Sequence, residues 1–267
     1  MTDDGPRSRD GAILGAGVPD APSGGWRTAT VAGVRRPLQR MVELRLDVHD
    51  RVDHPVPHGA RLRLDVADRI EHMPGQHYVV RLTAPDGYTA QRSYSVASPP
   101  SDPQVELFVE RLEDGEVSGY LADVAEPGDE FEVRGPIGGW FVWDGTSPAL
   151  LVGGGTGVVP LVSMLRTARD VGRPDLLRLA VASRTWAELP YADELAGAGA
   201  LVALSREARG IRPPGRLGGD DLVPLWEPGQ TAYVCGSASF AEASSQLLLG
   251  LGFAPGDVRI ERFGPSG

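Results

Sequence analysis

The 267-residue chain has a single cysteine, Cys235. That excludes an internal disulfide and any Cys-x-x-Cys framework for zinc or an iron-sulfur cluster, so a cluster served by this protein is expected on another chain. Long apolar runs are missing too. No stretch approaches the roughly 18–20 residues needed to cross a bilayer, and no membrane partner is expected. The first 25 residues lack the charged segment and apolar run of a signal peptide. Their Gly, Pro, Asp and Ser content reads as a disordered tail, with a cytoplasmic location as the expectation. Basic residues are outnumbered: 26 Lys and Arg face 36 Asp and Glu, for a net charge of -10. Such a chain lacks the cationic footprint that displaces counterions from nucleic acid, so no nucleic-acid partner is expected. His54, His58, His72 and His77 show no carboxylate-histidine spacing, no metal is expected, and the histidines are read as solvated.

What is there is an ordinary globular composition, 41% hydrophobic and 23% charged, at a length that suits two cores. From Trp26 to about Trp143 short alternating runs are broken by Gly, Pro and Asp: "RTATVAGV", "VELRLDV", "RLRLDV", "HYVVRL", "RSYSVA", "QVELFVERL" and "EFEVRG". Many short strands with regular turns predict an antiparallel barrel or sandwich. After "DGTSP" the texture becomes strand, glycine turn, helix, repeated, which predicts a parallel sheet covered by helices. The expected division is a tail over 1–25, a barrel domain over 26–145 and an α/β domain over 146–267. The boundary should fall near Asp144 to Pro148.

"LRLDVHDRVDH", Leu44 to His54, recurs eighteen residues later as "LRLDVADRIEH", Leu62 to His72, with eight of eleven positions identical. Two copies are too few for a solenoid. The repeat reads as a local duplication of one strand and its loop, giving either an extra edge strand or a bulged surface loop.

Three stretches carry chemistry. "LLVGGGTGVVP", Leu150 to Pro160, is a strand running through glycines into a helix; without Cβ atoms, backbone N–H groups can approach a phosphate. Gly153 to Gly157 would be the grip, though tight structural turns use glycine as well. "RSYS" puts a cation, an aromatic ring and hydroxyls in one strand, with Arg92 and Tyr94 on one face and Ser93 and Ser95 on the other. An arginine can pair with phosphate, a tyrosine can stack on a heterocycle and a hydroxyl can bond a ring nitrogen. "GEVSGYL", Gly115 to Leu121, looks like a loop opening a short helix, a second anion site with Ser118 as hydroxyl donor.

Together with "PGQHYVV", "GPIG", "YVCG" and the terminal "ERFG", these motifs resemble the ferredoxin-NADP+ reductase family of flavoproteins, in the family's order across about residues 26 to 264. The resemblance implies a Greek-key antiparallel β-barrel of six strands that binds FAD, followed by a five-stranded parallel α/β domain that binds a nicotinamide nucleotide. It implies Arg92 on the flavin pyrophosphate, Tyr94 against the ring and Ser95 at its N5 atom, with Ser93, His77 and Val79 alongside. Gly115, Ser118 and the amides around Val117 would complete the pyrophosphate site. Cys235, followed by Gly236, would face the nicotinamide, and Glu261 would join Ser95 and Cys235 in the catalytic network. Phe263 stands where the family has a ring covering the flavin.

For the nucleotide, the resemblance points to Gly154, Gly155, Thr156 and Gly157 on phosphate, and to Ser205 with Arg206 on a 2'-phosphate. Arg206 could instead pair with Glu207 or face solvent, leaving Arg184 or Arg216 to contribute. NADPH is preferred, with NADH as the alternative. The implied activity is transfer of a hydride from nicotinamide to flavin N5, then release of single electrons to a ferredoxin or oxygenase component, by a protein expected to be a monomer. Two other readings are a direct reductase of a free flavin, quinone or ferric chelate, and a non-catalytic flavin sensor. Arg35, Arg36, Arg40, Arg61 and Arg63 would form either a docking patch or a solvated strand face.

Overall fold

A computed structural model describes residues 25–49 and 71–263. The first sheet has six antiparallel strands: β1 (Arg27–Leu38), β2 (Met41–His49), β3 (His77–Thr83), β4 (Thr89–Ser95), β5 (Val105–Glu110) and β6 (Glu130–Ile137), in the order β4-β3-β6-β1-β2-β5. Its edges meet. Val96, just past β4, bridges Leu107 of β5, and the Ala97 N–H donates to Glu106 O at 2.8 Å. That closure removes the unpaired edges an open sheet would expose. Alternating residues fill the interior: Val42, Leu44 and Leu46 from β2 meet Val105, Leu107 and Val109 from β5, each essentially inaccessible to solvent. A short helix, α1 (Glu116–Asp123), packs Val117 and Leu121 into the same core.

The second sheet is parallel: β7 (Ala149–Gly154), β8 (Leu177–Ser183), β9 (Leu201–Leu204), β10 (Thr231–Ser237) and β11 (Val258–Phe263), ordered β11-β10-β7-β8-β9. Helices α2 (Val159–Asp170) and α3 (Ala192–Gly197) cover one face, while α4 (Gly219–Leu222) and α5 (Ala238–Gly250) cover the other. The fold is therefore the one the resemblance implied, an antiparallel barrel followed by a five-stranded parallel α/β sheet. From β7 the chain steps to β8 on one side, and later returns to place β10 on the other. Such a reversal leaves a crevice at the carboxyl ends of the strands.

Strand β5 is buried on both faces, and this joins the two halves. Its odd-numbered residues enter the barrel core, while Glu106 and Phe108 point at the second sheet's helices. There Phe108 lies 4.9 Å from the Tyr191 ring, and Ala97 and Val159 pack beside it. Glu106 accepts from Arg45 Nη1 (2.8 Å), Arg166 Nη1 (2.9 Å) and Tyr191 Oη (2.7 Å). Burial by itself would raise this carboxyl's pKa, but Arg166, the Tyr191 hydroxyl and Arg45 outweigh it and hold the group below the usual range.

One expectation is corrected. His72 is not solvated: it is 1% exposed, with Nε2 2.9 Å from Ser98 O. Arg35, Arg36 and Arg40 are exposed; Arg36 and Arg40 also direct guanidinium N–H groups to the carbonyls of Ala122 and Arg111, and Arg35 lies 3.5 Å from Glu43. The tail to residue 24, the "RLRLDV" strand, most of the duplicated segment, His54, His58, Arg61 and Arg63 lie outside the described residues. Among the described residues, no helix is long and apolar enough to cross a membrane and no cluster of side chains could hold a metal.

Candidate active site

A cleft of about 1200 Å³ runs between the barrel and the parallel sheet. All five parallel strands deliver residues to it from their carboxyl ends. Gly154, Gly155 and Thr156 follow β7, Ser183 and Arg184 end β8, and Ser205 follows β9; Ser237 ends β10, with Glu261 and Phe263 on β11. The barrel contributes His77 from β3, the run Arg92 to Ser95 from β4, and Gly115 with Ser118 from the loop and first turn of α1. Residues as far apart in sequence as His77 and Phe263 thus share one cavity.

The alternation expected of "RSYS" holds only until the strand bends, and it does not separate these side chains. Arg92, Ser93, Tyr94 and Ser95 all line the cleft, because β4 turns inward at its end to meet β5. Exposure falls along it, from open at Arg92 and Ser93 to 5% at Ser95. Three buried polar atoms in the cleft have no hydrogen-bond partner: Tyr94 Oη, Ser95 Oγ and Glu261 Oε2. Each such group costs about 1–3 kcal/mol when left unsatisfied, so the cleft is built for a polar ligand that meets them.

Glu261 is the centre of the electrostatics. Burial pushes its pKa up to about 7. His77 Nδ1 stands 3.8 Å from Glu261 Oε1 and is itself lowered by burial, and His77 pairs in register with Ser95 across β3 and β4. A carboxyl titrating near neutrality beside a neutral imidazole can hold or release a proton at physiological pH. Arg92 donates one N–H to Gln91 O (2.7 Å), and among the described residues neither Arg92 nor Arg216 has a carboxylate partner. One such arginine stands on each side of the cleft.

The glycine turn is fixed sterically. A Cβ on Gly157 would lie 2.2 Å from Cys235 O, and one on Gly154 would lie 2.7 Å from the Phe240 ring. Gly155 is left-handed at φ 55° and opens the turn that leads into α2. Ser118 Oγ accepts from Leu112 N–H (3.1 Å) and donates to Gly115 O (3.4 Å), so this hydroxyl closes its own loop.

Several expected residues lie elsewhere. Cys235 is fully buried in the core beneath the sheet, its thiol pKa raised by burial and by Glu261, because the β10 pleat turns it away from the cleft. Val117 is in the barrel core and Val79 is 7% exposed; neither side chain lines the cleft. Gly157 packs against Cys235, Gly236 against Phe240, and Arg206 is exposed outside the lining. Glu207 accepts from the Trp186 N–H rather than pairing with Arg206. Sequence reasoning missed Phe240, Phe108 and Glu188. Phe240 sits three residues after Ser237, whose hydroxyl caps α5 by accepting from the Phe240 N–H, and that capping pattern was the available signal.

Residues 43–142 match the family described as an oxidoreductase FAD-binding domain. The matched segment corresponds to the barrel from β2 onward, with the run Arg92 to Ser95 inside the match. The unpaired Tyr94 and Ser95 hydroxyls and the exposed guanidinium of Arg92, all in the cleft lining, fit the cofactor's ring and pyrophosphate. Among curated proteins, the ferredoxin–NAD(P)+ reductase component of a naphthalene 1,2-dioxygenase/salicylate 5-hydroxylase system from Ralstonia is 32% identical over 204 residues, covering 73% of this chain and 61% of its own. The chain spans between 39% and 61% of the length of such relatives. Among solved structures, the FAD/NAD-binding domain of a Vibrio cholerae nitric oxide dioxygenase superposes with a TM-score of 0.73 at 23% identity, covering 90% of this chain and 99% of that one. A Neisseria gonorrhoeae ferredoxin NADP+ reductase with bound FAD and NADP gives 0.70 at 18%, covering 89% and 98%.

Proposed function

We propose that the protein is an FAD-dependent oxidoreductase that takes electrons from a nicotinamide nucleotide, with NADPH preferred, and passes them to an iron-sulfur or oxygenase component. The observation that carries this reading is the shared cleft, which is lined both by the unpaired Tyr94 and Ser95 hydroxyls of the barrel and by Glu261 of the parallel sheet, whose Oε2 has no hydrogen-bond partner. A flavin held there supplies the conversion of a two-electron donor into one-electron steps. The chain's part is placement. Arg92 and the amides at the start of α1 neutralise and orient the pyrophosphate, Tyr94 gives a flat apolar wall, and Ser95 presents a hydroxyl to the ring's polar edge. Glu261 holds a proton near that edge at neutral pH and sheds it above.

At the nucleotide end the supporting feature is charge. Arg184 is paired with Glu188 at 2.9 Å, whereas Arg216 has no carboxylate partner among the described residues, and both line the cleft with Ser205. The loop bearing Arg216 is pinned by Arg212, which donates to both Asp221 oxygens and to the carbonyls of Gly215 and Arg216. A guanidinium on so fixed a loop suits a 2'-phosphate, so Arg216, rather than Arg206, takes that role. The relatives named as reductase or electron-transfer components of dioxygenase systems support a protein acceptor. With one cysteine in these 267 residues, the acceptor's cluster lies outside them.

An anaerobic titration of FAD-loaded protein with NADPH and NADH tests the reading. The flavin absorbance band should bleach with either nucleotide, at lower concentration with NADPH. A flavin that neither nucleotide bleaches would refute it. Arg216→Ala should raise the Michaelis constant for NADPH at least tenfold and leave NADH unchanged.

A further inference from the structure

The cleft has walls from two separately cored halves, so its width is set by what joins them. That joint is polar and buried. Glu106, 4% exposed on β5, bonds Arg45 of the barrel on one side and Arg166 and Tyr191 of the second half on the other. Arg166 continues to Glu194 on α3 through two bonds, at 3.1 and 2.8 Å, and donates to Ala97 O at 3.1 Å. Tyr191 is the one non-glycine residue among those described with a left-handed backbone, φ 55°, a conformation unfavourable for an aromatic residue. It persists where surrounding contacts over-determine it: the ring packs on Phe108, and the hydroxyl reaches Glu106. Phe108 lines the cleft on the barrel side, and Glu188, three residues before Tyr191, lines it on the nucleotide side.

We infer that the Glu106–Arg166–Tyr191 cluster is a positioning clamp that fixes the FAD domain against the nucleotide half and thereby sets the separation at which the two bound groups react. The inference rests on the proposed function for its purpose. Its geometry stands apart from that reading: three directional hydrogen bonds converge on the one Glu106 carboxylate, two of them from guanidinium groups, and so specify angle, whereas the apolar contacts of Val159, Phe108 and Ala97 specify only proximity. None of the three residues lines the cleft; they act through the walls they hold.

The test compares wild type, Glu106→Gln and Tyr191→Phe, each in FAD-loaded protein. Spin labels at Val124→Cys in the barrel half and Leu249→Cys in the nucleotide half, both exposed and away from the cleft, report the separation of the halves. Glu106→Gln should retain FAD, broaden the distance distribution and slow bleaching by saturating NADPH at least tenfold, with the Michaelis constant changed much less. Tyr191→Phe, which keeps every charge, should give the same pattern at two- to threefold. An unchanged distance distribution in both variants overturns the clamp. Broadening with an unchanged bleaching rate overturns its positioning role and leaves only a structural one. Should neither nucleotide bleach wild type, the proposed function fails, and the distance measurement alone then decides the clamp.

Discussion

Glu261→Gln is expected to stabilise the fold by an amount that grows with pH. The wild-type carboxyl is buried, and its pKa moves from 4.5 to about 7 on folding. The sign follows from linkage: a carboxyl whose folded value lies above its unfolded value favours the folded state fully only below about 4.5. That favour is lost as pH rises through about 7, where the folded protein must ionise it. At about 1.36 kcal/mol per pH unit, the penalty on the wild type grows from about 1 kcal/mol at pH 5 to about 3 kcal/mol above pH 8. Glutamine does not titrate, so the difference between variant and wild type should rise along that curve. Its buried amide adds an offset that does not depend on pH, so the slope is the test. His77, whose pKa is lowered, stays neutral over the upper part of the window, and Cys235, whose pKa is raised, stays a thiol. Urea unfolding of both proteins at five pH values between 5 and 9 measures the difference. A difference independent of pH would show that Glu261 is ionised freely in the folded state and refute the electrostatic account of the cleft.

Gly157→Ala places a methyl 2.2 Å from Cys235 O and 2.4 Å from its carbonyl carbon, against backbone that has no room to yield. It should cost more than about 4 kcal/mol or prevent folding, whereas Gly197→Ala in α3, with nothing within 4 Å of the new Cβ, should be neutral or slightly stabilising in thermal melts. Arg166→Met leaves Glu106 and Glu194 short of a partner and should destabilise by about 3 kcal/mol, near the range for breaking a buried ion pair; a loss under about 1 kcal/mol would mean the cluster behaves as surface charge. Arg92→Ala should lower FAD occupancy after purification without changing the urea midpoint of the FAD-free protein by more than about 0.5 kcal/mol, since Arg92 is exposed and bonds only Gln91 O.

Local physics made much of this protein legible in its sequence. Alternation in "VELRLDV" sends Val42, Leu44 and Leu46 inward whatever the strand's neighbours. The glycines of "GGGTG" announce a turn that no Cβ could enter, and the repeated strand-helix texture after Pro148 fixes a parallel sheet. Cleft membership was legible for Arg92 to Ser95 because chemistry and spacing sit together in one strand. It was not legible for Cys235 and Arg206: which way a pleat or loop faces depends on the layer packed against it, and that layer lies far away in the chain.

What the sequence alone determined is therefore the two sheets, their order and the residue types able to hold a flavin and a nucleotide. What only the tertiary structure decided is how those sheets meet. "QVELFVERL" reads only as one of the alternating barrel runs, yet Glu106 is among the most buried carboxylates described, because α2 and the start of α3 pack on the face that alternation leaves polar. The same long-range packing brings Ser95 and Glu261 into one cleft and lifts the Glu261 pKa. Periodicity records which side of a strand is apolar; desolvation and ion pairing depend on what arrives at the other side.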